Sequence, residues 1–234
     1  MKPQDKNIIV LIILTAFFPV INIFMAAIGY TFEVENYYVF VIIMTALYGV
    51  FIKSFWDFRK EPCTTFLRIT ALILAILGVI NLITYVLVYT DVVVTIVMFL
   101  WLVSDLILFL YVIRNTRFKI ITWIMCACSV CMLLPFTALC LLFANIGENI
   151  VVKTVCSPEE NYYAQVINSD QGALGGDTLV QVYDKTKSWN FLLFKIYKSP
   201  KTIYMGEWGE FNTMEIEWKN AATLLINEME YKVF

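Results

Sequence analysis

Five stretches of this chain are apolar for long enough to cross a bilayer, and the segments between them are short and polar. They run from Ile8 to Tyr30, Tyr38 to Phe55, Phe66 to Thr90, Val92 to Ile113 and Ile120 to Ile146. A bilayer core of about 30 Å needs about 20 helical residues at 1.5 Å each, so each stretch reads as a spanning helix. The first is longer than a signal-peptide core and is followed by TFEVENYY, which offers no small-residue cleavage site; it is expected to be a retained span, kinked at Pro19. The second connection carries KSFWDFRKEPCTTFLR and the fourth RNTRFK, whereas the first is a short acidic loop with Glu33 and Glu35.

After Ile146 the pattern changes from continuous apolar runs to short alternating stretches. Tyr162 to Ile167, Thr178 to Tyr183, Phe191 to Tyr197, Thr202 to Met205, Met214 to Trp218 and Thr223 to Ile226 are separated by SPEEN, NSDQGALGGD, DKTKS, KSPK and KNAA. In MEIEWK, Met214, Ile216 and Trp218 alternate with Glu215, Glu217 and Lys219, the period of a half-buried strand. The expected fold is a membrane α-helical bundle of five transmembrane helices over residues 1–147, followed by a small all-β domain of six or seven strands over residues 148–234.

Charge assigns the sides, because Lys and Arg accumulate in cytoplasmic loops. All nine Lys and Arg of the first 145 residues fall at the amino terminus (Lys2, Lys6) or in the second and fourth connections (Lys53, Arg59, Lys60, Arg68; Arg114, Arg117, Lys119). The expectation is a multi-pass cell-membrane protein with its amino terminus cytoplasmic and its β-domain extracytoplasmic. The rival is a four-span chain with one run re-entrant, which turns the tail inward. Tyr30, Tyr37, Tyr38, Trp56, Tyr89 and Trp123 stand near span ends, as interfacial anchors do.

Composition narrows the chemistry. With 60% hydrophobic and 15% charged residues, the chain is far below the roughly 25% charge of an ordinary soluble domain. A net charge of −2 gives no nucleic-acid footprint, and the absence of histidine removes histidine metal sites and Ser-His or Cys-His catalysis. No nucleophile–base pair stands out, so no enzyme activity, metal or cofactor is expected.

The tail segments SPEENYYAQVINSDQGALGGDTLVQVYD and KTIYMGEWGEFNTMEIEWKNAATLLIN carry a Ser-Pro start (Ser157, Pro158), a tyrosine strand (Tyr163), a Gly-Ala turn (Gly172, Ala173) and a closing Trp218 with Ile226-Asn227. In these features the last third of the chain resembles DUF5412, a bacterial domain of unknown function found in membrane-attached proteins mostly of Gram-positive bacteria. The resemblance implies a Gram-positive envelope setting and no particular activity.

Candidate functional residues are few. Asp105 falls near the middle of the fourth span, where an ionised carboxylate costs about 2.5 to 3.5 kcal/mol on insertion scales. It is expected to face the bundle interior, with Asn22, Asn81 and Ser104 as partners at similar depth. It serves either as a polar clasp that orders the helices, or as an ion or proton relay or a contact to a partner's span. Cys126, Cys128, Cys131 and Cys140 in the fifth span read as packing residues, with acylation at Cys126 or Cys63 as the alternative. The tail's acidic residues outnumber its lysines 12 to 8, and Glu215 with Glu217 reads as a solvated face or a cation or basic-peptide surface. The glycine-rich turn lacks the lysine of a phosphate loop; Asp170, Asp177 and Trp208 are the binding-loop candidates.

Two functions are expected from this reading. The first is a non-enzymatic membrane protein whose outer domain binds a ligand or an envelope protein, as an immunity or self-resistance factor or an accessory subunit; the second is a small transporter or ion-conducting protein using Asp105. Membrane lipid is a partner in both.

Cys156 is the only cysteine of the tail and cannot form a disulfide within it. A membrane-impermeant maleimide added to intact cells is expected to label wild type and Cys63→Ser but not Cys156→Ser. Labelling of Cys156 only after lysis, with Cys63 reactive in intact cells, inverts the topology.

Overall fold

The computed structural model describes residues 2–57, 63–89, 91–117, 119–143, 148–172 and 175–233. Arg59, Lys60, Ala173 and the Thr90 connection lie outside them. The chain is a multi-pass helical membrane protein with a β-rich carboxy-terminal region, and it divides into two compact units.

The first unit holds the helices α1 (Pro3–Ala27), α2 (Tyr37–Asp57), α3 (Thr65–Tyr89), α4 (Val92–Ile113) and α5 (Lys119–Phe143). All five are long and apolar enough to span a membrane. Helices α3 and α4 are the most enclosed, and their buried residues recur at alternating steps of three and four: Leu67, Ala71 and Leu74 on α3, and Val94, Met98, Trp101, Asp105, Leu108 and Val112 on α4. That spacing is the seam of two helices packed along their length. Gly78 continues the α3 seam, and there the backbone approaches α4 closely. A Cβ on Gly78 would stand 2.7 Å from Asp105 Oδ2 and 3.2 Å from Leu102, so any larger residue pushes the seam apart. Asp91 starts α4 as its N-cap, accepting from Val94 N–H at 2.9 Å and from the Tyr38 hydroxyl at 2.7 Å. Burial raises the Asp91 pKa, but these bonds outweigh it and hold the carboxyl below its usual value.

The second unit holds ten strands among the described residues, in three antiparallel sheets. A four-stranded sheet has the order β2 (Glu148–Cys156), β3 (Tyr162–Asp170), β4 (Gly176–Asp184), β7 (Lys201–Glu207). A three-stranded sheet is built from β8 (Ile216–Asn220), β9 (Thr223–Ile226) and β10 (Met229–Lys232). Alternate residues of β3 and β4 (Ala164, Val166, Val180, Val182) bury against Met214, Ile216, Leu224, Ile226 and Val233, forming the core. The alternation in MEIEWK holds: Met214 and Ile216 are buried while Glu215, Glu217 and Lys219 are exposed. Trp218 is half-buried, and its indole N–H donates to the Val155 carbonyl at 3.1 Å. Asn227 and Glu228, at φ 49° and 68°, form the two-residue β9–β10 turn, where left-handed residues match strand twist and asparagine is favoured. The Asn227 carboxamide further accepts from Glu215 N–H at 3.0 Å.

The third sheet corrects the sequence reading. Residues 30–34, expected as an acidic loop between spans, form a strand, β1 (Tyr30–Val34), in the order β1, β6 (Phe194–Lys198), β5 (Ser188–Asn190). The register runs from Tyr30↔Lys198 to Val34↔Phe194. Residues 24–35 accordingly group with the carboxy-terminal residues 144–234. The expected strand Phe191 to Tyr197 is also shifted, because Phe191–Leu193 is the turn joining β5 to β6. Strands β2, β5 and β10 were not expected. β2 is an edge strand whose Ile150, Val151 and Val152 are each 47% exposed, so it shows no buried alternation, and the other two are three and four residues long.

Candidate functional site

Directly opposed residues of antiparallel strands point to the same face. On β1–β6–β5 this puts Thr31, Glu33, Ser188, Lys195 and Tyr197 on one face, and Phe32, Val34, Phe194, Ile196 and Trp189 on the other. On β3–β4 it puts Tyr163 opposite Tyr183, on the face turned away from the core. The two polar faces line a cleft of about 410 Å³ with Glu33, Tyr163, Tyr183, Ser188, Lys195 and Tyr197, and the strand-end residues Asp184 and Lys198 and the adjoining Lys185 also border it. Its contents come from five strands and from positions as distant in sequence as Glu33 and Lys198.

The cleft is aromatic in the middle and basic at the edge. Tyr163 and Tyr183 stack with centroids 4.8 Å apart and planes within 5°. The Lys185 ammonium stands 5.7 Å from the Tyr163 ring and the Lys195 ammonium 5.3 Å from the Tyr197 ring, within reach of cation–π attraction. Asp184 is engaged locally, accepting from the Thr186 hydroxyl at 2.6 Å and backbone N–H at 3.0 Å. Among the described residues no ion pair engages Lys185, Lys195 or Lys198. Burial first and the Glu33 carboxylate after it push the phenols upward: Tyr197 from 10.0 up to about 12, and Tyr163 and Tyr183 in the same direction. The site therefore offers flat rings, neutral hydroxyls and three ammonium groups, which is recognition chemistry for an anionic or sugar-like ligand.

The residues singled out in the sequence lie elsewhere. Asp170, Asp177 and Trp208 do converge, at the end of the four-stranded sheet. Asp170 stands opposite Gly176, and Trp208 leans on Gly176, where a Cβ would lie 2.7 Å from its ring. Both carboxylates serve the turn, Asp170 accepting from Gly172 N–H at 2.7 Å and Asp177 from the Gln171 amide at 2.8 Å. Glu215 and Glu217 line an open concavity of about 520 Å³ with Glu228, Glu230, Lys153 and Lys219; Lys219 pairs with Glu230. No group of three or more potential metal ligands occurs among the described residues.

Within the helical unit, Asp105 is fully buried and accepts from the Tyr48 hydroxyl at 2.5 Å. Tyr48 stacks on Trp101 with centroids 4.4 Å apart, and Trp101 donates to the Thr45 hydroxyl at 3.2 Å. The Asp105 Oδ2 atom has no hydrogen-bond partner among the described residues. Asn81 bonds instead to the Met98 sulfur at 3.4 Å, Asn22 to the Phe18 carbonyl on its own helix at 2.9 Å, and Ser104 to the Leu100 carbonyl at 3.0 Å. Cys126 and Cys131 border an apolar groove between α4 and α5.

The sequence reading missed the tyrosine cleft and Tyr48. Tyr163, Tyr183 and Tyr197 all lie in strands it identified, and their spacing on one face of each strand was the available signal. No family model, curated protein or solved structure matches the chain.

Between pH 10 and about 12 the unfolded chain releases the Tyr197 proton while the folded chain keeps it, so stability falls as pH rises through this window. Removing the Glu33 charge lowers the folded pKa and shrinks that loss. Melting temperature of the purified protein, followed from pH 9 to 12, is expected to fall less steeply for Glu33→Gln than for the parent; equal slopes contradict the assigned contact.

Proposed function

We propose that this protein is a non-enzymatic, multi-pass protein of the cell membrane whose β-domain faces outward and binds a ligand or partner in the envelope. Two roles fit: an immunity or self-resistance factor, or an accessory subunit of an envelope complex. The observation that carries the reading is the tyrosine–lysine cleft, a concave, charged and aromatic surface whose three lysines have no ion-pair partner among the described residues. The outward orientation is supported by the distribution of the nine Lys and Arg over alternate connections. Pairing of β1 with β6 adds support to an odd number of crossings, because it requires the first connection and the tail to share a compartment. The resemblance of the tail to DUF5412 fits a Gram-positive envelope.

A second reading, transport or ion conduction through the bundle, draws on the fully buried Asp105 with its unpartnered oxygen. Against it, Asn22 and Asn81 bond elsewhere, and the Tyr48–Trp101–Thr45 chain has the form of a clasp that orders α2 against α4.

Expression in a sensitive host, or recovery of a specific complex after mild solubilisation, distinguishes immunity from the accessory role. In either case Lys195→Glu combined with Tyr163→Ala is expected to lower protection or complex yield about tenfold, the effect of losing one charged contact and one stacking face in a recognition site. Asp105→Asn is expected to leave both unchanged. Loss of function in Asp105→Asn with the cleft variant fully active supports the conduction reading instead.

A further inference from the structure

The turn between β5 and β6 has a composition that water-facing turns avoid. The segment KSWNFLLFKIYK, which runs through β5, this turn and β6, places Trp189 of β5 and Phe191 of the turn each 49% exposed and Leu192 94% exposed. Surface turns are normally built from Gly, Asn, Asp, Ser and Pro. The turn is nonetheless well formed, with Phe191 N–H donating to the Phe194 carbonyl at 2.8 Å and the Phe191 and Phe194 rings 4.8 Å apart. Lys187 and Lys195 flank the apolar tip.

Connectivity fixes where this tip is held. β6 lies along β1 for its whole length, and Glu35 N–H donates to the Leu193 carbonyl at 3.1 Å, directly beyond the last pair Val34↔Phe194. Glu35 is two residues before Tyr37, where α2 begins, and Tyr30 at the other end of β1 is three residues after Ala27, where α1 ends. Three residues of extended chain reach at most about 10 Å, comparable to the interfacial layer that flanks the hydrocarbon core of a bilayer. Trp189 also lies 5.8 Å from Tyr30, at the span end. Apolar and aromatic tips with flanking lysines suit this layer, where rings sit at headgroup level and lysine stems extend toward water.

We propose that the β5–β6 turn is a lipid-binding device: Trp189, Phe191 and Leu192 seat in the headgroup–acyl boundary of the same membrane the helices span, so that the sheet carrying Glu33, Lys195 and Tyr197 is held at the membrane surface. The occupant of the tip is lipid and not a protein, because the tip is tied two residues from the start of the spanning helix α2 and Trp189 stands by Tyr30, three residues after α1.

The test uses the full chain in phosphatidylcholine nanodiscs, with an environment-sensitive fluorescent amino acid at Leu192 and, in separate samples, at Trp189 and at Lys219 on β8. Leu192 is so exposed that its replacement leaves the fold little affected. Nitroxide lipids labelled near the headgroup are expected to quench positions 192 and 189 about twofold or more above position 219, while iodide in the water quenches 219 more strongly. Iodide quenching at 192 and 189 equal to that at 219, without lipid quenching, places the tip in water, free for a protein partner, and overturns the proposal. Protection from both quenchers, which means the tip is covered by protein, also overturns it.

Discussion

Backbone hydrogen bonds between strands form only where both strands share one side of a membrane, and the pairing of β1 with β6 therefore constrains the whole chain. It ties the connection between the first two helices to a segment 160 to 168 residues later, from Val34↔Phe194 to Tyr30↔Lys198. Strands on one side of the membrane are separated by an even number of crossings, as the four candidate spans α2 to α5 between them give. It also completes the tyrosine cleft, because β1 contributes Glu33, and it tethers the apolar β5–β6 turn to the ends of α1 and α2. Without this pairing, the first connection is a short polar loop and the cleft loses Glu33, whose charge adds to burial in raising the phenols.

The helical unit rests on a different kind of interaction. Among apolar helices in lipid, packing and a few polar contacts determine the arrangement, since burial from water no longer favours one partner over another. Here Tyr48, Trp101, Thr45 and Asp105 link α2 to α4, and Gly78 lets α3 close over the carboxylate. The same residues that make the bundle specific leave the second Asp105 oxygen without a partner among the described residues. Interhelical hydrogen bonds of this kind are worth about 0.6 to 2 kcal/mol each, enough to select an arrangement but too little to force an otherwise poor one.

The five helices were legible because hydropathy over about 20 residues is a strong, local signal, and the seam of α3 with α4 repeats in a period that a helix imposes. Strand β1 was not legible. YTFEV has the right alternation, with Phe32 and Val34 buried and Glu33 exposed, but five residues between two spans carry no sign of a partner far along the chain. The cleft was hidden for a related reason: each tyrosine was visible in its own strand, while their convergence depends on register and on which sheet faces which. Asp105 was correctly expected in the interior, yet its partner is a tyrosine at a depth the sequence does not encode, and Asn22 satisfied itself on its own helix. Asp170, Asp177 and Trp208 did gather at one end of a sheet, with their carboxylates already used by the turn.

The most direct measurement is a cysteine cross-link across the pairing. Glu33 and Lys195 stand opposite one another, and directly opposed residues bring their Cβ atoms to about 4.5–5.5 Å. The pair Glu33→Cys and Lys195→Cys is placed in a chain with Cys156→Ser and a protease site in the second connection, then oxidised and cut. If β1 belongs to the carboxy-terminal sheet, the two fragments stay joined until a reductant is added, and a control pair of Glu33→Cys with Lys219→Cys gives separate fragments. Separation of the Glu33–Lys195 fragments to the same extent as the control contradicts the account.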